Sequence, residues 1–267
     1  MMCAPFGVSN IAWPPADLPE ALDLLRDAGC TAVEIAPFNV FGRWHDLDAE
    51  ARTLRDQIEA RGLVCSALQG VLFNAEGVEL FASDASRDRL QHHLEKIASL
   101  AGLLGAKACV FGAPKQRDPG TLDPAQAWDI AVATLRHCAP AFANAGTTLA
   151  FEANARHYGC RFVTTTAQAV DLVAAIDHPG IGLQIDTGTL ILEAEPPEIL
   201  AAAARHAVHA HISEPNLQAP GSVEHTAIAA ALRASGYTGS LSIEMGKTET
   251  WRTAIPAAIA FVRAAYR

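Results

Sequence analysis

Four side chains able to bind a divalent cation stand at the ends of four short apolar runs in the second half of the chain. The runs are Thr148-Leu-Ala-Phe-Glu152, Ile181-Gly-Leu-Gln-Ile-Asp186, Ala207-Val-His-Ala-His211 and Gly239-Ser-Leu-Ser-Ile-Glu244. Each has the length and composition of a strand. Parallel strands in a closed barrel all end on one face, so Glu152, Asp186, His211 and Glu244 would meet at its mouth. Three carboxylates and one imidazole suit one divalent metal ion such as Mn, Mg, Co or Fe(II). Zn is also compatible, although structural zinc more often brings Cys. Such an ion polarises a carbonyl or alkoxide oxygen while a carboxylate beside it moves a proton.

The elements that must position these groups are legible along the whole chain. Eight apolar runs begin near Phe6, Ala32, Val64, Ala108, Leu149, Ile181, Val208 and Leu241. Helical periodicity fills the intervals. Leu90, Leu94, Ile97, Leu100, Leu103 and Leu104 recur at three- and four-residue spacing, and Leu18, Ala21, Leu22, Leu24, Leu25 and Ala28 do much the same. Gly29, Gly62, Gly105, Gly146 and Gly236 each follow such a pattern, where a glycine closes a helix in the left-handed conformation. Alternation of strand and helix with short links implies parallel strands and right-handed crossovers. Eight units favour closure, so the expected fold is α/β, a single (β/α)8 TIM barrel over residues 1–267, a chain length close to the roughly 250 typical of that fold. The four candidate ligands are 34, 25 and 33 residues apart, about one βα unit each. The longer connections, 36–47, 69–83, 112–123, 153–164 and 213–221, all follow strands and so belong to the mouth, where barrel enzymes carry their sites.

Composition removes other classes. The formal charge is −9 with no basic run of five or more, so a nucleic-acid partner would meet an average repulsion. No apolar stretch is long and uncharged enough to span a membrane. The six Cys are scattered without a C-x-x-C pair, which suggests a reducing compartment. The opening Met1-Met-Cys-Ala-Pro-Phe6 lacks a basic segment followed by an apolar one, so no secretory signal is expected and the cytoplasm is the expected location.

Phe151-Glu152-Ala-Asn154, Gln184-Ile-Asp186-Thr, His209-Ala-His211-Ile-Ser-Glu214-Pro-Asn216 and Ser242-Ile-Glu244 resemble the metal motifs of the sugar phosphate isomerase/epimerase superfamily, the xylose isomerase-like TIM barrels. Val8-Ser-Asn-Ile-Ala-Trp13, Val33-Glu34-Ile and Gly105-Ala-Lys-Ala-Cys-Val-Phe-Gly112 resemble that group's first, second and fourth units. The resemblance implies one divalent metal on Glu152, Asp186, His211 and Glu244. It also implies a small sugar-like substrate, with Glu152 and Glu244 as a proton-transfer pair acting through a cis-enediolate. Barrels of this group often pair, so a homodimer is implied as well. Two positions depart from its ketose 3-epimerases. Thr189 stands where they carry a His, and Leu217 follows Asn216 where they carry an Arg. The same scaffold also serves lyases that dehydrate polyol ketones. The three-zinc abasic-site endonucleases need further His ligands where this chain has Gln69, Phe111 and Thr189.

Other candidates surround this core. Lys115 and Arg117 follow the fourth strand and could grip a phosphate or carboxylate. Trp13 could stack on a sugar face, and Glu34 could line the mouth or form an internal ion pair. Gln69, Asn154 and Glu214 are further candidate substrate contacts, and Arg156 and His157 have a status like that of Lys115. His209, two residues before His211, faces the same way one layer deeper and reads as an interior histidine. His225 could orient the loop after strand seven. His92 and His93 read as outer helix surface, and Gly70 and Gly112 as residues that let the chain turn into loops.

Overall fold

Eight parallel strands pair in sequence order and close on themselves in a computed structural model that describes residues 4–266. They are β1 (Phe6–Ser9), β2 (Ala32–Ile35), β3 (Val64–Leu68), β4 (Ala108–Phe111), β5 (Thr148–Glu152), β6 (Ile181–Asp186), β7 (Ala207–Ser213) and β8 (Ser240–Glu244). β8 returns to β1 through the register Phe6↔Leu241 and Val8↔Ile243. This is the (β/α)8 barrel expected from the sequence, and all eight apolar runs became strands.

Local chemistry sets the helix limits. Ser83 accepts a hydrogen bond from Ser86 N–H and opens the helix Asp84–Leu104, which Gly105 ends at φ 76°. Asp123 caps Pro124–Asn144 by accepting from the Ala125 and Gln126 N–H groups. The five glycines expected to follow helices all have φ between 71° and 76°. Only glycine holds this conformation without a Cβ penalty.

Two apolar regions result. The larger lies between the strands and the outer helices and includes Leu22, Leu94, Leu135, Phe142 and Ile255. The smaller, Ala67, Ala108 and Ala150 with Val208 against it, is separate. The buried positions also include many polar groups: Ser9, Glu34, Gln184, His209, His211 and Ser242. Register breaks fall at Val33/Glu34 and Leu183/Gln184, next to members of that polar set. Bulges commonly re-aim side chains beside sites.

The five described cysteines are buried, Cys65, Cys109, Cys138 and Cys160 as free thiols, and Cys3 lies outside the described residues. Burial pushes the Cys109 thiol up to about 12, as for an inert small hydrophobe. Among the described residues, no helix is long and apolar enough to cross a membrane.

Candidate metal and substrate site

Strand alternation gathers the chemistry. β7 turns His209, His211 and Ser213 to one side, and pairing with β8 places Ser240, Ser242 and Glu244 beside them in that order. β6 brings Asp186 level with His211, and β5 ends on Glu152. One ligand atom each from Glu152, Asp186 and His211 lies within 4.8 Å of the others. Glu152 Oε1 and Glu244 Oε2 each approach His211 Nδ1 to 3.4 Å. The four residues expected to meet at the mouth are therefore together.

His211, Asp186 and Glu152 are held from behind. His211 Nε2–H donates to both oxygens of Glu34, at 2.9 and 3.0 Å, and His209 Nε2–H donates to Glu34 Oε1 at 3.2 Å. Ser240 Oγ–H donates to His209 Nδ1 at 2.5 Å. Asp186 Oδ1 accepts from Thr189 N–H at 2.6 Å, and its Oδ2 accepts from Ser213 Oγ–H at 2.5 Å. Asn154 Nδ2–H donates to Glu152 Oε2 at 2.8 Å. Arg117 donates to the Glu152 carbonyl at 2.7 Å and to Asn154 Oδ1 at 2.8 Å. Gly112 leaves the room Glu152 needs: a Cβ there would sit 2.4 Å from Glu152 Oε2.

The electrostatics call for a cation. Burial, then the charges of Glu152 and Glu244, raise the Asp186 carboxyl to about 7. Burial alone would lower His211, but Glu34, Glu244 and Glu152 around it drive it well above the ordinary histidine value. Glu34 also pays for burial, yet His211 and His209 outweigh that and hold it well below the usual carboxylate range. His211 Nδ1 is buried and has no hydrogen-bond partner. Its Nε2–H is committed to Glu34, so Nδ1 faces the carboxylates, where a proton sits in the metal-free protein and a cation would take that proton's place. A carboxylate behind the imidazole is the usual support of a metal-binding histidine. The residues present thus fit a divalent cation on Glu152, Asp186, His211 and Glu244. A second cluster, Glu34 with His209 and His211, has the same kinds of group but is internally paired.

A cavity of about 560 Å³ opens above the cluster and is lined by Glu152, Asp186 and Glu244 as well as Gln69, Asn154, Lys115 and Glu214. Three other candidate substrate contacts lie elsewhere. Trp13 is buried against Trp251, with ring centroids 6.4 Å apart, because its 3-10 turn faces the last helix rather than the mouth. Glu34 is wholly buried beneath the cluster as the partner of two histidines. Arg117 is likewise buried, with its guanidinium 4.7 Å from the Phe151 ring, so it holds the β5 end and not a ligand. Glu214 lines the cavity but is occupied with the Gly221, Ser222 and Val223 N–H groups and His225. Arg156 turns outward to Glu193, and His157 meets Asn216.

Two further readings change. His93 is buried, not surface, and donates from Nε2 to the Val71 carbonyl at 2.7 Å, tying the helix to the loop after β3. Gly112 serves by its missing side chain, whereas Gly70 does turn the chain, at φ 60°. Ser213 was missed, although its position two residues after His211 signals the shared orientation. Phe111 packs against Phe151 and Thr189 Oγ1 donates to the Ala153 carbonyl, so neither adds a ligand.

Residues 22–265 match the family described as xylose isomerase-like TIM barrel. The chain belongs to that family. Solved structures with the same fold include a D-psicose 3-epimerase from Clostridium cellulolyticum H10 (19% identity, TM-score 0.83, covering 98% of this chain and 99% of that one). An L-ribulose 3-epimerase matches at 24% identity and TM-score 0.79, over 98% of this chain and 92% of the other. A 3-keto-D-glucoside 4-epimerase from E. coli matches at 18% and 0.78, over 98% and 99%. No curated protein matches by sequence. Within this xylose isomerase-like frame, the site lies at the C-terminal ends of the strands, as in barrel enzymes generally.

Proposed function

We propose that this barrel is a divalent-metal-dependent isomerase or epimerase of a small sugar-like hydroxy-carbonyl compound. The observation that carries the reading is the unpartnered Nδ1 of His211, with Glu152 and Glu244 each 3.4 Å away and Glu34 fixing the far side of the ring. Sugar 3- and 4-epimerases among the solved structures of this fold support it.

Glu152, Asp186, His211 and Glu244 would hold the cation, whose bound charge stabilises negative charge on a substrate oxygen. Glu152 and Glu244 each come within 3.4 Å of His211 Nδ1 and supply the two carboxylates such a transfer needs. One carboxylate takes the proton from the carbon beside the carbonyl, giving a cis-enediolate, and the other returns a proton to the opposite face. Asn154 keeps Glu152 Oε2 oriented, and Arg117 fixes the β5 end that carries it. Lys115 lines the cavity and could contact a substrate oxygen there.

The test joins metal analysis to solvent-deuterium incorporation across a panel of ketoses and hydroxypyruvate. Stoichiometric metal and exchange beside the carbonyl, both diminished in Glu152→Gln, are expected. Wild-type protein that binds no Mn, Mg, Co or Zn refutes the site, and metal-loaded protein without exchange on any member refutes the proton transfer.

A further inference from the structure

We propose that the substrate carries an apolar substituent, aryl or branched alkyl, on the side of its hydroxy-carbonyl group that points away from the acid cluster. This deepens the proton-transfer reading and rests on it for the orientation of the substrate.

The cavity has two unlike ends. Its floor is the carboxylate cluster, and its walls combine Val71, Leu72 and Pro114 with the polar Asn74, Lys115 and Gln116. Three of the four exposed large hydrophobic residues among the described ones, Phe73, Tyr158 and Leu217, also line it. They belong to loops after three different strands, β3, β5 and β7. Apolar side chains scattered singly over a surface mean little, but convergence on one opening marks a binding site.

Each of the three is held in place without a ligand. The Phe73 carbonyl accepts from Trp44 Nε1–H at 2.9 Å, and its ring meets Phe38 edge-on at 5.6 Å. The Tyr158 hydroxyl accepts from Asn216 N–H at 2.9 Å. Leu217 has φ 55°, a left-handed conformation costly for a branched side chain. It is kept there by its N–H to the Glu214 carbonyl at 3.0 Å and by Gly246 N–H to its own carbonyl at 2.8 Å. A backbone outlier locked at a cavity rim points to function.

The chemistry of the rim decides the ligand. A fully hydroxylated tail pressed on Phe73 and Leu217 would lose water from hydroxyls without new partners. An apolar tail instead removes from water both its own surface and that of the rim.

The experiment compares two ligands sharing one head, hydroxyacetone and 2-hydroxyacetophenone, titrated into the Mg-loaded protein by calorimetry and ligand-observed NMR. The phenyl ketol should bind roughly tenfold tighter or more, the discrimination a well-packed apolar pocket gives. In a Phe73→Ser/Leu217→Ser variant that ratio should fall to about twofold, with circular dichroism melts verifying the fold and Leu217→Ser alone serving if the pair fails to fold. Equal affinities in the wild type, or a preference that survives the substitutions, overturn the proposal. So does a dimer in sedimentation that the double variant splits, since the rim would then be a subunit contact. Deuterium exchange is read on both ligands in parallel. Exchange without phenyl preference removes the apolar subsite and leaves the proton transfer standing; phenyl preference without exchange does the reverse.

Discussion

Replacing Glu34 by Gln tests the support of the metal site without touching a proposed ligand. Glu34 is wholly buried, and its carboxylate accepts three contacts, two from His211 Nε2 and one from His209 Nε2. Glutamine keeps the volume and one carbonyl acceptor but loses the charge. His211 Nε2–H then has a weaker acceptor, and the tautomer that aims the Nδ1 lone pair at Glu152, Asp186 and Glu244 is no longer enforced. Loss of such a supporting carboxylate typically costs about 10- to 100-fold in metal affinity, or roughly 1.4–2.7 kcal/mol. Folding should suffer less than in Glu34→Ala, which strands two imidazole N–H groups in a void at about 1–3 kcal/mol each. Calorimetric titration of Mn2+ at pH 7.5, with thermal melts of the metal-free variants as a control, measures both quantities. A Glu34→Gln protein that binds Mn2+ within about threefold of wild type would refute the reasoning, because that is too small for a lost supporting partner.

Three other outcomes are expected. Asp186 is raised to about 7 from an ordinary 3.8, so its contribution to metal-free stability is present at acid pH and is lost as pH rises from 4 through 7. Metal binding must expel that proton, so affinity should climb with pH through 7, and calorimetry in buffers of different ionisation enthalpy should detect proton release. Gly112→Ala places a Cβ where Glu152 Oε2 lies and should lower kcat about 100-fold, as misplacement by about 1 Å does, at nearly unchanged metal-free melting temperature. Arg117→Leu strands the Glu152 carbonyl and Asn154 Oδ1 and should destabilise the fold by about 3 kcal/mol in urea unfolding, while a surface-directed Arg would give nearly none.

The barrel was legible because its signals are local: strand-length apolar runs, helical spacing and closing glycines each sit within a dozen residues. The cluster was legible for a related reason. A strand end is a fixed place in a closed parallel barrel, so Glu152, Asp186, His211 and Glu244 had to converge once the strands were found. Loop side chains offered no such rule. Lys115 and Arg117 are two residues apart, yet one lines the cavity and the other is buried against Phe151. Trp13 was drawn under the last helix by Trp251, a partner at the opposite end of the chain. Glu34 was open between a substrate contact and an ion pair because its partners are 175 and 177 residues away. His93 looked like surface until the path of the 69–83 loop put the Val71 carbonyl over it.

The link from Glu34 to His209 and His211 spans the interior from β2 to β7, strands that are not neighbours in the ring. Such a cross-brace separates what can vary from what cannot. Loops 70–83 and 214–221 touch the cavity but take no part in the brace, so they are exchangeable cassettes once Gln69 and Ser213, which bond Ser9 and Asp186, are kept. Recombining them with loops from other barrels of this fold should change which molecules enter while the ion-binding floor stays in register. A transplant that cut through β2 would fail for the opposite reason, even though that strand gives the cavity no wall.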